Sequence, residues 1–461
     1  MRMKTALVTA TSLMAIAAAL TAHAAPRDLG REVLGVNDGW AAFGAGTTGG
    51  SLATSDQVYV VTNRRELIAA LNNGVPSSTS PSTPSNTPKI IYVSGMIDVN
   101  VDDENNPLTC EDYFAADPGV PAQNIPPSGE VFSYEAFEAA FDPNGGWGRV
   151  NPSGPQERAR LASQAVQQGR VRIRPGSNTT IVGLGRHAKI RGIWLDIRGS
   201  AAVPRENIIV RNITFEDTYD CFPQWAPNDG AQGSWNSLYD SISLRDSRNV
   251  WIDHNTFADR ATADSSLPQV FGVLFQVHDG LVDITNASDL VTVSWNRFLD
   301  HDKVMLIGSS DNAPADVNKL RVTLHHNLFD NLGQRVPRVR FGQVHIYNNY
   351  YGIEGVPNYQ YSWGVGIQSA AYAENNFFKT DRSVTPDRFI TRFNGTAMHA
   401  SGTLLNGILN RNRVDVVAEY NAVNDPDLGT DVGWTPTLFE RIHPTWSVPL
   451  LVWILAGPLP W

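Results

Sequence analysis

Apolar and polar positions alternate in short β-branched runs that each close on Asn-x-aromatic: residues 250–257 (VWIDHNTF), 291–298 (VTVSWNRF), 322–329 (VTLHHNLF), 344–351 (VHIYNNYY) and 372–378 (YAENNFF). Residues 208–215 (IIVRNITF) form a looser copy. The matching asparagines are Asn255, Asn296, Asn327, Asn349 and Asn376, spaced by 41, 31, 22 and 27 residues. The shortest spacing, 22, is the basic unit, and the longer ones are that unit plus loops. Period-two alternation belongs to strands. Helical repeats would need a 3.6-residue period and longer units. The pattern therefore predicts an all-β fold, a parallel β-helix in which each coil stacks on the last at the ~4.8 Å strand spacing. Buried Asn side chains would form a ladder at the repeated turn. A β-sandwich is the competing reading, but its hairpin turns every ~8–12 residues are sparse here.

Outside the repeat, Asn63-Arg64-Arg65-Glu66 has capping-box form ahead of Leu67, Ile68 and Leu71. It predicts a short N-terminal capping helix ending at Asn73-Gly74. Residues 76–88, almost all Ser, Thr and Pro, read as an exposed loop before a buried strand over 89–93 (KIIYV). Residues 100–155 are rich in Pro, Asp and Asn and read as a long irregular excursion. Helical patterning follows over 155–168, with Pro155 at its start and Gly169 as its stop.

Residues 1–24 read as an export leader: Arg2 and Lys4, an apolar stretch over 6–20, then Ala22-His23-Ala24 for cleavage. That leaves 25–461 as one β-helical domain, secreted from the cell. No later stretch approaches the ~18 apolar residues of a membrane span. The chain of 461 residues is 42% hydrophobic and 18% charged, which excludes a disordered polymer. Its formal charge of −10 argues against nucleic acid as a partner. Export would permit Cys110 and Cys221 to pair, but the sequence leaves that open.

Taking the 22-residue unit as a ruler, Asp240, Asp279, Asp283, Lys303 and Arg335 all fall near one angular station on successive coils. Asp279 and Asp283 are also read as i, i+4 on one strand, with both carboxylates on the same face. A solvated ladder of surface ion pairs would give the same pattern and contribute little. If the wall is a site, hard oxygen ligands without thiols favour Ca²⁺ over a transition metal. Zinc could draw on His254, His278, His301, His325, His326 or His345. However, His325 and His326 are adjacent and expected on opposite faces of a strand, and no HExxH spacing exists.

Arg335-Val336-Pro337-Arg338-Val339-Arg340, within QRVPRVRFGQVHIYNNYY, resembles the RxPxxR signature of secreted pectate lyases. Trp251-Ile252-Asp253-His254 resembles that family's second signature, and HDGLVDIT with LDHDKVMLIGSSD resembles its metal and lysine segments. The match runs from about Lys89 to Thr437. The resemblance implies a right-handed parallel β-helix that cleaves polygalacturonate by Ca²⁺-dependent β-elimination, as a monomer and without a membrane partner. It implies Asp240, Asp279 and Asp283 as Ca²⁺ ligands and Arg335 as the Brønsted base. Lys303 and Arg340 would bind substrate carboxylate and stabilise charge, with Arg338 as a further substrate contact. Asp253, His254 and Trp251 are read as structural instead.

Three other functions bear on the same residues. A pectin lyase acting on methyl-esterified chains would not need three carboxylates. A β-helical polygalacturonase would need paired carboxylic acids, and the only adjacent Asp pair, Asp102-Asp103, lies in the excursion. A non-catalytic carbohydrate-binding solenoid would not need Lys303 together with Arg335. The tail over 447–461 (SVPLLVWILAGPLPW) carries no charge and departs from the family's more polar ending; packing on the side of the solenoid and a sequence artefact are the two readings of it.

Overall fold

In the computed structural model, which describes residues 28–460 except Arg382, each repeated run becomes a strand paired in parallel with its equivalent on the next coil. Val250 stands opposite Val291, Val291 opposite Val322, Val322 opposite Val344, and Val344 opposite Ala371. Three long parallel sheets result, of ten, nine and eight strands among the described residues. They wind into a right-handed parallel β-helix. The leader expected over 1–24 lies outside the described residues.

The aromatic closing each run turns inward and stacks. Phe257 and Phe298 have ring centroids 4.9 Å apart, Phe298 and Phe329 5.1 Å, Phe329 and Tyr351 5.1 Å, and Tyr351 and Phe378 4.4 Å. Phe215 extends the column at 5.1 Å from Phe257.

Beside this column runs the amide ladder. The Asn296 Oδ1 accepts from the Asn255 backbone N–H (2.8 Å) and Nδ2 (3.1 Å), and the same pair of bonds repeats through Asn327, Asn349 and Asn376. The residue before each ladder Asn is left-handed: φ is 51° at His254, 53° at Trp295, 55° at His326, 53° at Asn348 and 52° at Asn375. A non-glycine residue there costs about 1 kcal/mol, which the ladder's buried hydrogen bonds offset. The looser copy ends the ladder because Ile213, with no amide, takes the equivalent place. Its backbone N–H still donates to the Asn255 Oδ1.

The capping helix forms over Arg64–Leu71, with the Asn63 side chain accepting the Glu66 N–H. The Glu66 carboxylate returns to the Thr62 N–H instead of Asn63. Gly169 does not stop the second helix, which spans Pro155–Val171. Gln167 and Val171 are buried on either side of it, and Arg170 is tied to Val101 and Asp103. These tertiary contacts outweigh the ~1 kcal/mol helix cost of a glycine.

The excursion is less irregular than its composition implies. It holds a helix over Tyr134–Phe141, and Phe132, Phe137 and Phe141 pack with Phe222, Trp225 and Trp235. Cys110 and Cys221 form a disulfide that joins it to the solenoid, settling the pairing the sequence left open. The Asp102–Asp103 pair has structural partners. Asp102 accepts the Glu104 and Asn106 N–H groups, and Asp103 pairs with Arg170 at 2.8 Å.

The uncharged tail forms a helix over Val448–Leu455 on the outer flank. Val448, Val452 and Ala456 are buried there with Leu328, Tyr350, Phe377 and Leu404. Beyond the helix, Gly457 N–H donates to the Trp295 carbonyl and Leu459 N–H to the Asn212 side chain.

Replacing Asn327 by Ala removes its bonds to Val293, Asn349 and Asn296 and leaves buried backbone groups unpaired. The unfolding free energy from urea titration should fall by about 2–4 kcal/mol.

Candidate active site

The eight-stranded sheet carries the station singled out in the sequence. Parallel register sets Ile242 opposite Val282, Ser243 opposite Asp283, Ile284 opposite Ile307, and Leu306 opposite Arg338. Asp240 precedes the strand Ile242–Arg245 by two residues and faces Gly280, whose N–H its Oδ1 accepts at 3.0 Å. Asp283 lies within the strand Val282–Thr285 and accepts the Leu306 N–H at 2.9 Å. Asp279 is not on that strand, contrary to the i, i+4 expectation. It lies in the turn three residues before the strand begins, where chain direction and not pleat alternation sets its orientation.

The cradle between Asp240 and Asp283 is shaped by Gly280. A Cβ there would stand 2.6 Å from the Asp283 Oδ1 and 2.9 Å from the Asp240 Oδ1, so both carboxylates close on space that only glycine leaves open. Ser243 donates a hydrogen bond to the other Asp240 oxygen. Burial first, then Asp283 and Asp279, push Asp240 well above the usual carboxylate range. Burial and Asp279 raise Asp283 to about 7, against the pull of Arg335. Among the described residues, no three His, Cys, Asp or Glu side chains close into a complete metal cage. The cradle still fits a hard cation: its donors are all oxygen, and the mutual repulsion of its carboxylates is what a divalent ion relieves.

The cationic residues come from the next two coils. Lys303 ends the strand Arg297–Lys303 and pairs with Gln334, one residue before Arg335. Among the described residues the Lys303 ammonium has no hydrogen bond or ion pair. Arg335 leaves the strand Leu328–Gln334 in a left-handed conformation (φ 60°), with its carbonyl accepting the Met305 N–H at 2.8 Å. Its Nε is buried without a hydrogen-bond partner. Arg338 has its guanidinium carbon 3.8 Å from the centroid of the Phe393 ring. Burial, then Arg340, lower its pKa. Arg340 is the least available of the group: Nε pairs with Asp311 at 2.6 Å and Nη1 donates to the Gly308 carbonyl at 2.8 Å.

Behind Asp279 is a buried group that the sequence reading used only as possible zinc ligands. The His301 ring bonds the Asp259 carboxylate through Nδ1 and the Asp279 carbonyl through Nε2 at 2.8 Å. Burial pulls His301 downward, but Asp259 outweighs it and leaves the ring at about 9. His278 bonds the Thr218 and Thr262 carbonyls, both at 2.7 Å. Gly280, Ser243 and Asp259 were also missed. The glycine of HDGLVD was the one available signal, since it stands between two proposed ligands.

His325 and His326 do not face opposite sides. The left-handed turn at His326 reverses the alternation, so their Nδ1 atoms meet at 2.9 Å and His326 continues to His443 at 2.9 Å. Asp253 and His254 are structural as expected: the carboxylate takes bonds from Arg211 (2.8 Å), His254 (2.7 Å) and Ser294 (2.8 Å). Trp251 is packed, 7% exposed, beneath Arg211.

A parallel β-helix with buried carboxylates in electrostatic reach of Arg335 is an arrangement suited to a polysaccharide lyase of the β-helical class. The comparisons narrow this class. A family model described as pectate lyase matches residues 148–413. The pectate lyase of Bacillus subtilis (strain 168) is 43% identical over 93% of this chain and 94% of its own length. Pectate lyase E of Dickeya dadantii (strain 3937) is 33% identical over 88% and 85% respectively. Among solved structures, a thermostable pectate lyase superposes with a TM-score of 0.85 at 46% identity, covering 94% of this chain and all of that one. A pectate lyase bound to a hexasaccharide gives 0.82 at 42%, covering 94% and 99%. The chain belongs to the pectate lyase family.

An acid whose folded pKa is raised stabilises the fold only while protonated. Metal-free protein should therefore lose stability as pH rises from near 4 to above 7, by about 2–4 °C in Tm. Asp283→Asn should flatten that slope in calorimetric scans.

Proposed function

We propose that this protein cleaves α-1,4-linked polygalacturonate by Ca²⁺-dependent β-elimination, releasing 4,5-unsaturated oligogalacturonides. One observation carries the reading: two carboxylates converge over Gly280 within electrostatic reach of Arg335, whose buried Nε has no hydrogen-bond partner among the described residues. A surface ion-pair ladder would instead consume its own charges.

In this reading Asp240, Asp279 and Asp283 hold the ion, which when bound neutralises the substrate carboxylate and the charge that develops on it. Lys303, with its ammonium unpaired, binds the same carboxylate and lowers the cost of the enolate-like transition state. Arg335 takes the proton from C5. The electron pair left behind forms the C4–C5 double bond and expels the C4 oxygen, which becomes the hydroxyl of the new reducing end by taking a proton from solvent, balancing the one Arg335 removed. No water is consumed. A guanidine accepts a proton only when neutral, so turnover favours alkaline pH. Arg338, stacked on Phe393, would contact a neighbouring sugar carboxylate in this reading. Arg340 has two of its donor sites committed to Asp311 and Gly308, which suits it to shaping the wall more than to gripping substrate.

We also read residues 1–24 as a leader and 25–461 as a secreted monomer. The Cys110–Cys221 disulfide supports an oxidising compartment.

Incubation with polygalacturonate and Ca²⁺ should produce the ultraviolet absorbance of the unsaturated product, and excess chelator should abolish it. New reducing ends without that absorbance would mean hydrolysis and overturn the reading. Arg335→Lys should lower turnover by about 10²–10⁴-fold while oligogalacturonate binding stays within a few-fold.

A further inference from the structure

We infer that His301, held by Asp259, is a positioning residue that fixes the backbone of Asp279 for cation binding. The inference rests on the calcium reading above and extends it to residues that do not touch the ion.

Asp279 lies in a turn, where neither strand pairing nor pleat fixes its carboxylate. It is nevertheless gripped on two sides. Its own carbonyl accepts from His301 Nε2 at 2.8 Å. The preceding residue, His278, is anchored by both ring nitrogens to the Thr218 and Thr262 carbonyls at 2.7 Å. His301 cannot rotate, because its other nitrogen is bonded to the Asp259 carboxylate. Both partners of the His301 ring are acceptors, so both ring nitrogens present hydrogens to them. Asp259 also stands 3.5 Å from His278 Nδ1, so one carboxylate braces both histidines. His278, His301 and Asp259 are at most 6% exposed.

The chain geometry links this brace to the chemistry. His301 is two residues before Lys303 on the same strand, and it reaches across to the turn carrying Asp279. One imidazole thus sets the distance between the third carboxylate and the lysine coil. In metal sites, partners behind the ligands of this kind contribute roughly 10–100-fold in affinity. Ser243 and the Leu306 N–H bond the carboxylates of Asp240 and Asp283 directly, whereas His301 holds Asp279 through its backbone carbonyl. Only Asp279 depends on a histidine.

The test is Ca²⁺ affinity by titration calorimetry on the full chain, with Tm measured in parallel. Asp279→Asn reports whether Asp279 binds the ion. His301→Asn keeps a donor near the Nδ1 position but loses the one facing Asp279, whereas His301→Gln places an amide near the Nε2 position. The inference expects His301→Asn to raise the Ca²⁺ dissociation constant about 10-fold and His301→Gln to stay within about 3-fold of the parent. In His301→Asn, kcat should recover at saturating Ca²⁺. Asp259→Asn, which removes the charge that holds the ring, should resemble His301→Asn and replaces it should that variant not fold. Unchanged affinity in His301→Asn and Asp259→Asn, with Asp279→Asn weakened, overturns the brace while leaving the calcium reading intact. Equal losses in His301→Asn and His301→Gln that track Tm make His301 merely structural and also overturn it. Unchanged affinity in Asp279→Asn removes that ligand, and the brace falls with it.

Discussion

Parallel stacking of one coil on the next, at the spacing of hydrogen-bonded strands, is the constraint on which the rest depends. It forces equivalent residues of successive coils into contact, so a side chain that can bond its own kind becomes self-reinforcing. Asn255 through Asn376 satisfy one another along a column, and Phe215 through Phe378 stack beside them. The same rule puts charge beside charge on the outer wall. Asp240, Asp283, Lys303 and Arg335 are far apart in number and close in space because they sit on four successive coils.

The site exploits the energetic penalty that this stacking imposes. Carboxylates on neighbouring coils repel, and burial raises the cost of ionising them. A stable solenoid would place apolar residues there. Asp240 and Asp283 persist on this wall with their oxygens directed at a glycine, and their raised pKa values record stability given up in the metal-free protein. Hydrogen bonds from Ser243 and Leu306 limit that cost without removing it.

The repeat was legible because the ladder position demands one residue type, and the sequence repeats it wherever the column continues. Its end at Ile213 was legible too, as a looser copy. The angular station of the charged residues followed from the same count. Local turn geometry was not legible. VTLHHNLF by itself reads as plain alternation, and only Asn348 and Asn375, which hold the same place in later coils, point to the left-handed backbone that brings the His326 ring onto His325. Likewise HDGLVD looks like continuous strand, yet pairing starts only at Val282, so Asp279 needs an external brace. The end of the helix Pro155–Val171 was misread for a related reason: glycine's intrinsic preference yields to Arg170 and the packing of Val171. The aromatic excursion, with its disulfide, has no period to read.

The first and last described segments run crosswise to the coils. The N-terminal segment donates from Trp40 to Thr323, Ala41 to Thr292, Gly49 to Asn207 and Gly50 to Thr180, while the tail links Gly457 to Trp295 and Leu459 to Asn212. A bare solenoid interacts only between nearest neighbours, so its outer coils can peel one at a time. These two straps join coils that are not neighbours, and fraying at either end must break bonds to the middle. Coils that would otherwise touch only their neighbours are therefore tied across the axis as well as along it, and the uncharged segment on the flank is one of the ties.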